Sequence, residues 1–221
     1  MKKPTELPLP EAILLAAMQT FIDGGYDTTS MDEIAVRAGT TKRTVYAHFG
    51  NKDQLFRAAI AQGVEYFHET LPPLGDGRAP AEELGAFAAR LCELCTFERA
   101  VRLQRTAMGE AARFPDLSRL LHRDVIERTE LMVADYLLLV AAGYPGIKPP
   151  PTDWARTMAS LFVNMTTGGQ RFAALLQTHD LIPGPPGKDV SPTIDRARID
   201  LAVRTFLAGF HAALLDREPR D

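Results

Sequence analysis

The stretch Thr28–Phe56, TTSMDEIAVRAGTTKRTVYAHFGNKDQLF, decides the fold. Ser30 and Glu33 are spaced as a capping box, in which the hydroxyl takes a free backbone N–H and the carboxylate reaches back. That spacing predicts a helix opening at about Met31, with Ile34, Ala35 and Ala38 on its inner face. Ala38-Gly39 closes it, because glycine accepts the positive φ that a helix exit commonly needs. Thr41 can cap a second short helix with Val45 and Phe49 turned inward, and Asn51 can cap a third from about Lys52. Two short helices at a sharp turn form the helix-turn-helix plan, whose second helix lies in the major groove of DNA.

The outward residue types suit that plan. Lys42, Arg43 and Lys52 can neutralise phosphates, while Thr40, Thr41, Thr44, Tyr46 and His48 can donate hydrogen bonds to phosphate or base edges. The competing reading is a solvated helical hairpin with ordinary surface charges.

Gly25 to Phe56 resembles the DNA-binding domain of the TetR family of one-component transcriptional regulators. The pattern is carried by Phe21, Gly25-Tyr26, Thr29-Ser30, Ile34-Ala35, Ala38-Gly39, Thr44-Val45-Tyr46, His48-Phe49, Asn51-Lys52-Asp53 and Leu55. The resemblance adds Thr29 and Ser30 to the DNA-contacting candidates. It implies an all-helical homodimeric repressor, released from its operator when a small molecule binds the C-terminal domain. Thr40 stands where the family usually carries an aliphatic residue, and Arg43 where it often has glycine. The segment Glu110–Leu117 (EAARFPDL) is similar to the AefR-like subgroup of C-terminal domains.

The expected organisation is an all-α chain: a three-helix helix-turn-helix domain over residues 1–51 and a larger helical effector-binding and dimerisation domain over 52–221. At 221 residues with 46% hydrophobic content the chain can bury a substantial core. A net charge of −3 and a pI near 6.0 argue against coating nucleic acid by bulk electrostatics, so positive charge has to be local. Met1-Lys2-Lys3 runs into Pro- and Glu-containing sequence rather than an apolar core, and no apolar run approaches the roughly 20 residues of a membrane span; a cytosolic protein is expected.

Outward from the central stretch, residues 1–8 read as an arm and 9–23 as a first helix with Leu14, Ala17, Met18 and Phe21 on its apolar stripe. A helix over 52–70 carries Leu55, Phe56, Ala59, Ile60, Val64 and Phe67. Breaks rich in Pro and Gly at 71–80, 148–152 and 182–192 separate predicted helices at 81–95, 97–113, 114–142, 153–178 and 193–216. The last helix is apolar over a wide arc with small residues, which needs more than one covering surface. Phe172, Leu201, Phe206, Gly209, Phe210 and Ala213 are the candidates for a two-fold four-helix interface. The alternative is a monomer whose last helices pack on the rest.

A small, largely apolar effector would need a mostly apolar cavity with a few polar groups. Phe67, Phe87, Leu91, Cys95, Arg105, Met108, Tyr136, Phe162, Met165 and Thr166 are the candidate lining, although aromatic and Met residues at helical spacing also make plain core. Cys92 and Cys95 form a C-x-x-C pair inside a predicted helix, without further zinc ligands nearby; small buried hydrophobes or a thiol sensor are the two readings. The five histidines are scattered, and no catalytic triad, phosphate loop or paired carboxylate stands out, so no cofactor, metal or catalytic residue is expected. The rival functions are a DNA-binding dimer without an effector pocket and a helical enzyme using its C-terminal cavity.

Overall fold

The computed structural model describes residues 7–177, 180–184, 186–187, 189–191 and 193–217. Residues 1–6 of the arm expected over 1–8, together with Thr178 and His179, lie outside them. By packing, the chain forms two compact units, residues 1–69 with 102–121 and residues 70–101 with 122–221. This differs from the expected division after residue 51. The reason is apolar burial: Leu55, Phe56, Ala59 and Ile60 share one core with Ile13, Phe21, Ile34 and Val45, and Phe114 and Leu117 join it.

The first unit holds α1 (Leu9–Gly24), α2 (Met31–Arg37), α3 (Lys42–Phe49) and α4 (Lys52–Thr70). It also holds the greater part of α6 (Glu98–Gly109) and all of α7 (Pro115–Leu121). Four rings form its centre. Phe21 and Phe56 meet edge-on at 4.8 Å between centroids, Tyr26 meets Phe56 and Phe114 at 5.0 Å each, and Phe56 meets Phe114 at 5.5 Å. Such offset and edge contacts are favourable beyond the area they bury.

The second unit holds α5 (Pro80–Thr96), the start of α6, α8 (Arg128–Ala142), α9 (Thr152–Leu176) and α10 (Arg196–Leu215). Helix α9 packs on α5, α8 and α10, and α10 also packs on α5. Leu84, Phe87, Leu91, Val133, Leu137, Phe162, Ile199, Val203 and Phe210 fill the interior. Among the described residues an ion pair is buried there: Arg90 donates to Glu93 at 2.5 Å, and the second carboxylate oxygen accepts the Ser191 N–H at 2.8 Å. A parallel bridge joins Phe97 to Ile182, with Glu98 N–H donating to the Ile182 carbonyl at 2.9 Å.

The helix expected over 97–113 ends at Gly109, and the one expected over 114–142 is interrupted. His122–Glu127 forms a π-helical turn between α7 and α8. Helix α10 begins at Arg196 rather than near Thr193 because Asp195 caps it, accepting the Arg198 N–H at 3.0 Å.

Candidate nucleic-acid interface

The reader is fixed by a chain of local backbone solutions. Ser30 Oγ accepts the Glu33 N–H at 3.1 Å and opens α2. At the exit, Gly39 takes φ +67° while Gly39 N–H donates to Val36 O at 3.1 Å and Thr40 N–H to Ala35 O at 2.9 Å. That double bond pattern is the Schellman closure, and it turns the chain sharply into α3. Thr41 Oγ1 then accepts the Thr44 N–H at 3.2 Å.

Gly50 ends α3 at φ +72°, ψ −64°, with the Asn51 N–H donating to Phe49 O at 2.8 Å. These are the angles of a γ-turn, rare and strained for residues with a Cβ. Asn51 Oδ1 accepts the Gln54 N–H at 2.9 Å, so Asn51 caps α4 as its residue type suggests.

Within α3 the faces separate cleanly. Val45 is buried, Phe49 and Thr44 are half-buried, and Lys42, Arg43, Tyr46, Ala47 and His48 are exposed. Thr41 is also exposed and Thr40 half-buried. A short helix thus presents two cations and several hydrogen-bonding side chains outward over two turns. Ser30, the cap of α2, is exposed as well.

Thr29 is corrected. It is buried, and its hydroxyl donates to Thr20 O at 3.2 Å and Gly25 O at 2.7 Å, which closes the α1–α2 loop and removes the side chain from any DNA-facing role. Lys52 is only partly available. Its ammonium donates to Asp27 O at 3.1 Å and lies 4.5 Å from the Tyr26 ring centre, and burial lowers its pKa. Neither the buried role of Tyr26 nor these partners were apparent from spacing.

The candidate effector residues fall in both units. Phe67, Arg105 and Met108 belong to the first, where Phe67 is half-buried and Met108 exposed. In the second, Phe87, Leu91, Tyr136, Phe162 and Thr166 are buried and Cys95 half-buried, while Met165 is exposed. The Thr166 hydroxyl donates to Phe162 O at 2.9 Å within its own helix. Burial pushes the Cys92 thiol up to about 12 and raises Cys95 as well. Both are therefore protonated at neutral pH, a poor state for thiol chemistry.

Among the interface candidates, Phe172 is 64% and Leu201 59% exposed, Gly209 is exposed and Ala213 half-buried. Phe206 and Phe210 are corrected: at 5% and 1% exposure they belong to the unit's own core, against Phe162 (5.1 Å) and Trp154 (5.4 Å) respectively. A wide apolar arc does not show which part of it another helix of the same chain already covers.

Among the described residues no cluster of metal-binding side chains occurs, and no helix is long and apolar enough to cross a membrane. Comparison with known proteins agrees with the reader geometry. Residues 13–59 match the family described as bacterial regulatory proteins, tetR family. Residues 82–212 match the AefR-like transcriptional repressor C-terminal domain. The HTH-type transcriptional activator FasR of Mycolicibacterium smegmatis is 43% identical over 53 residues, 24% of this chain and 24% of that protein.

The HTH-type transcriptional repressor BepR of Brucella suis is 38% identical over 80 residues, 36% of this chain and 32% of that protein. The chain thus matches only about a quarter to a third of the length of these curated relatives. Among solved structures, the flavonoid-responsive regulator FrrA superposes with a TM-score of 0.70 at 26% identity, over 91% of this chain and 96% of that one. These relatives are regulators rather than enzymes. The chain belongs to the TetR family of bacterial regulatory proteins, with a C-terminal domain of the AefR-like transcriptional repressor type.

Proposed function

We propose that this regulator is a repressor that binds a near-palindromic operator as a homodimer through α3 and leaves it when a small, largely apolar molecule binds the C-terminal half. The observation that carries the proposal is the division of α3: Val45 locked in the core while Lys42, Arg43, Tyr46 and His48 stand outside. Arg43, Thr44 and Tyr46 are assigned to base edges, and Thr40, Thr41, His48 and Ser30 to the backbone.

Two observations support the dimer. Leu161, Met165, Phe172 and Leu176 are exposed at helical spacing along α9. On α10, Leu201 and Leu215 are exposed together with Ala208, Gly209 and Ala212, small residues that allow close approach. A two-fold pairing of these faces would bury both stripes and give two readers for two half-sites. Support for the effector comes from the likeness to a regulator named for its flavonoid response. The effector must favour one reader spacing over another, since equal affinity for both shifts nothing.

The test is selection of duplex DNA from a random library with the full-length protein, followed by gel shift of the selected duplex against unrelated competitor. Site-specific binding that is lost in Tyr46→Ala, with retained helicity, is expected. Binding equally to competitor would overturn the proposal. A thermal-shift screen of flavonoids and other planar apolar compounds then tests the effector: a compound that raises the melting temperature should also release the selected duplex.

A further inference from the structure

We infer that Asp32 is a specificity-determining residue: by holding Lys42 it withholds a phosphate contact from unmatched DNA. The inference rests on the DNA-binding reading of α3. Lys42 is the first residue of the recognition helix, beside its cap Thr41, where a cation would meet the DNA backbone. Yet its ammonium lies 2.6 Å from Asp32 Oδ2, a carboxylate in the first turn of α2, and both side chains are exposed. The hydrogen bond and the charge of Asp32 also raise the pKa of Lys42, so the ammonium keeps its proton while paired.

The pair is close to neutral as seen from a distance. Backbone affinity comes from cations that displace condensed counterions, one phosphate at a time. A paired Lys42 displaces none, and the Asp32 carboxylate beside it repels the duplex. Among the described residues Arg43 has no such partner, so it keeps its full charge toward DNA. On a matched site, base contacts from Arg43, Thr44 and Tyr46 fix α3 in the groove and bring a phosphate within reach of Lys42, which can then exchange its carboxylate for it. On an unmatched duplex nothing fixes that register and the exchange does not occur. Asp32 thus lowers non-specific binding more than specific binding. For a chain with net charge −3 and few cations on its reader, that is a local route to discrimination.

The experiment is fluorescence anisotropy of the full-length protein over a salt series, with the library-selected duplex and an unrelated duplex of equal length. Asp32→Asn should tighten binding to the unrelated duplex by about threefold to fivefold, the ceiling set by the modest strength of an exposed ion pair. It should steepen that duplex's log–log salt slope by about 0.9, the value for one further phosphate contact. The gain on the selected duplex should be smaller. Asp32→Glu should restore wild-type behaviour.

Lys42→Ala in the wild-type background should weaken the selected duplex more than the unrelated one, and in the Asp32→Asn background it should abolish the gain on the unrelated duplex. The single Lys42→Ala variant keeps the test open if Asp32→Asn folds poorly. Equal tightening on both duplexes from Asp32→Asn, an unchanged slope, or an equal loss on both duplexes from Lys42→Ala would overturn the inference. Failure of the wild-type protein to prefer the selected duplex sinks the function proposal instead.

Discussion

The Arg113 guanidinium lies 4.5 Å from the centre of the Tyr26 ring, and the same group pairs with the Asp27 carboxylate at 2.8 Å, across 86 residues of sequence. Lys52 approaches the same ring at 4.5 Å and the same residue, Asp27, through its carbonyl. Tyr26 hydroxyl donates to Asp53, and Arg57 pairs with Asp116. The loop after α1, the start of α4 and the segment after α6 therefore share one charged and aromatic cluster.

Arg113→Ala removes cation contacts with the Tyr26 and Phe114 rings and an ion pair whose partners are both substantially exposed. Screening keeps each modest, so the expected loss is about 1 kcal/mol, chiefly from the ring contacts. Arg113→Lys should recover part of it, because an ammonium still sits over the ring but lacks the planar fork. Urea denaturation of the three proteins checks this; an unchanged midpoint for Arg113→Ala would show the cluster to be energetically neutral.

Gly50→Ala is expected to destabilise the first unit by about 1–3 kcal/mol, because the φ of +72° is unfavourable for an L side chain. The new methyl would also meet the Gln54 side chain, which can swing away. Adding Gln54→Ala should therefore relieve only a minor share. If Gln54→Ala restores full stability, steric crowding rather than backbone strain is the cause.

How much of this was readable in the residues divides along sequence distance. The caps at Ser30, Thr41 and Asn51 and the exit at Gly39 join groups a few residues apart, and each is visible as a residue type at a spacing. The packing of Phe114 and Leu117 beside Phe21 and Phe56 is not, since an apolar residue carries no mark of which core it enters. The same limit explains Phe206 and Phe210, which belong to an interior rather than an outer face, and the Asp32–Lys42 pair, which spacing shows only as two opposite charges. Thr29 failed for another reason: a hydroxyl that can reach DNA can equally close a loop on carbonyls.

The surface stripe on α9 and α10 predicts separable phenotypes. Phe172→Glu changes a side chain that is 64% exposed in the single chain, so the protomer should keep its helicity and melt cooperatively. If the proposed dimer forms through this face, its mass in sedimentation should fall from that of a wild-type dimer to a monomer at micromolar concentration, since a buried unpaired carboxylate strongly opposes association. Phe206→Ala should behave oppositely, costing about 3–5 kcal/mol of stability through a core cavity. A Phe172→Glu protein that remains dimeric would move the interface elsewhere.

Tyr26 predicts a pH dependence whose sign follows from its environment. Burial, and then the hydrogen bond and charge of Asp53, raise the phenol from 10.0 to about 12. A group whose folded pKa is raised contributes stability that is fully present below its unfolded pKa and is lost as pH rises through the folded one. Below pH 10 the contribution is constant; between about 10 and 12 the unfolded chain ionises and the folded one does not, so stability falls throughout that window. Tyr136 is raised by burial and Glu83 in the same sense, so it adds to the slope in its own unit. Tyr26→Phe should start less stable, having lost the bond to Asp53, and then decline less steeply above pH 10. Chemical denaturation at a series of alkaline pH values, with tyrosinate absorbance followed in parallel, measures both features. Parallel curves for the two proteins would show that Tyr26 ionises in the folded state as easily as in the unfolded one, contrary to its burial among Phe21, Phe56 and Phe114.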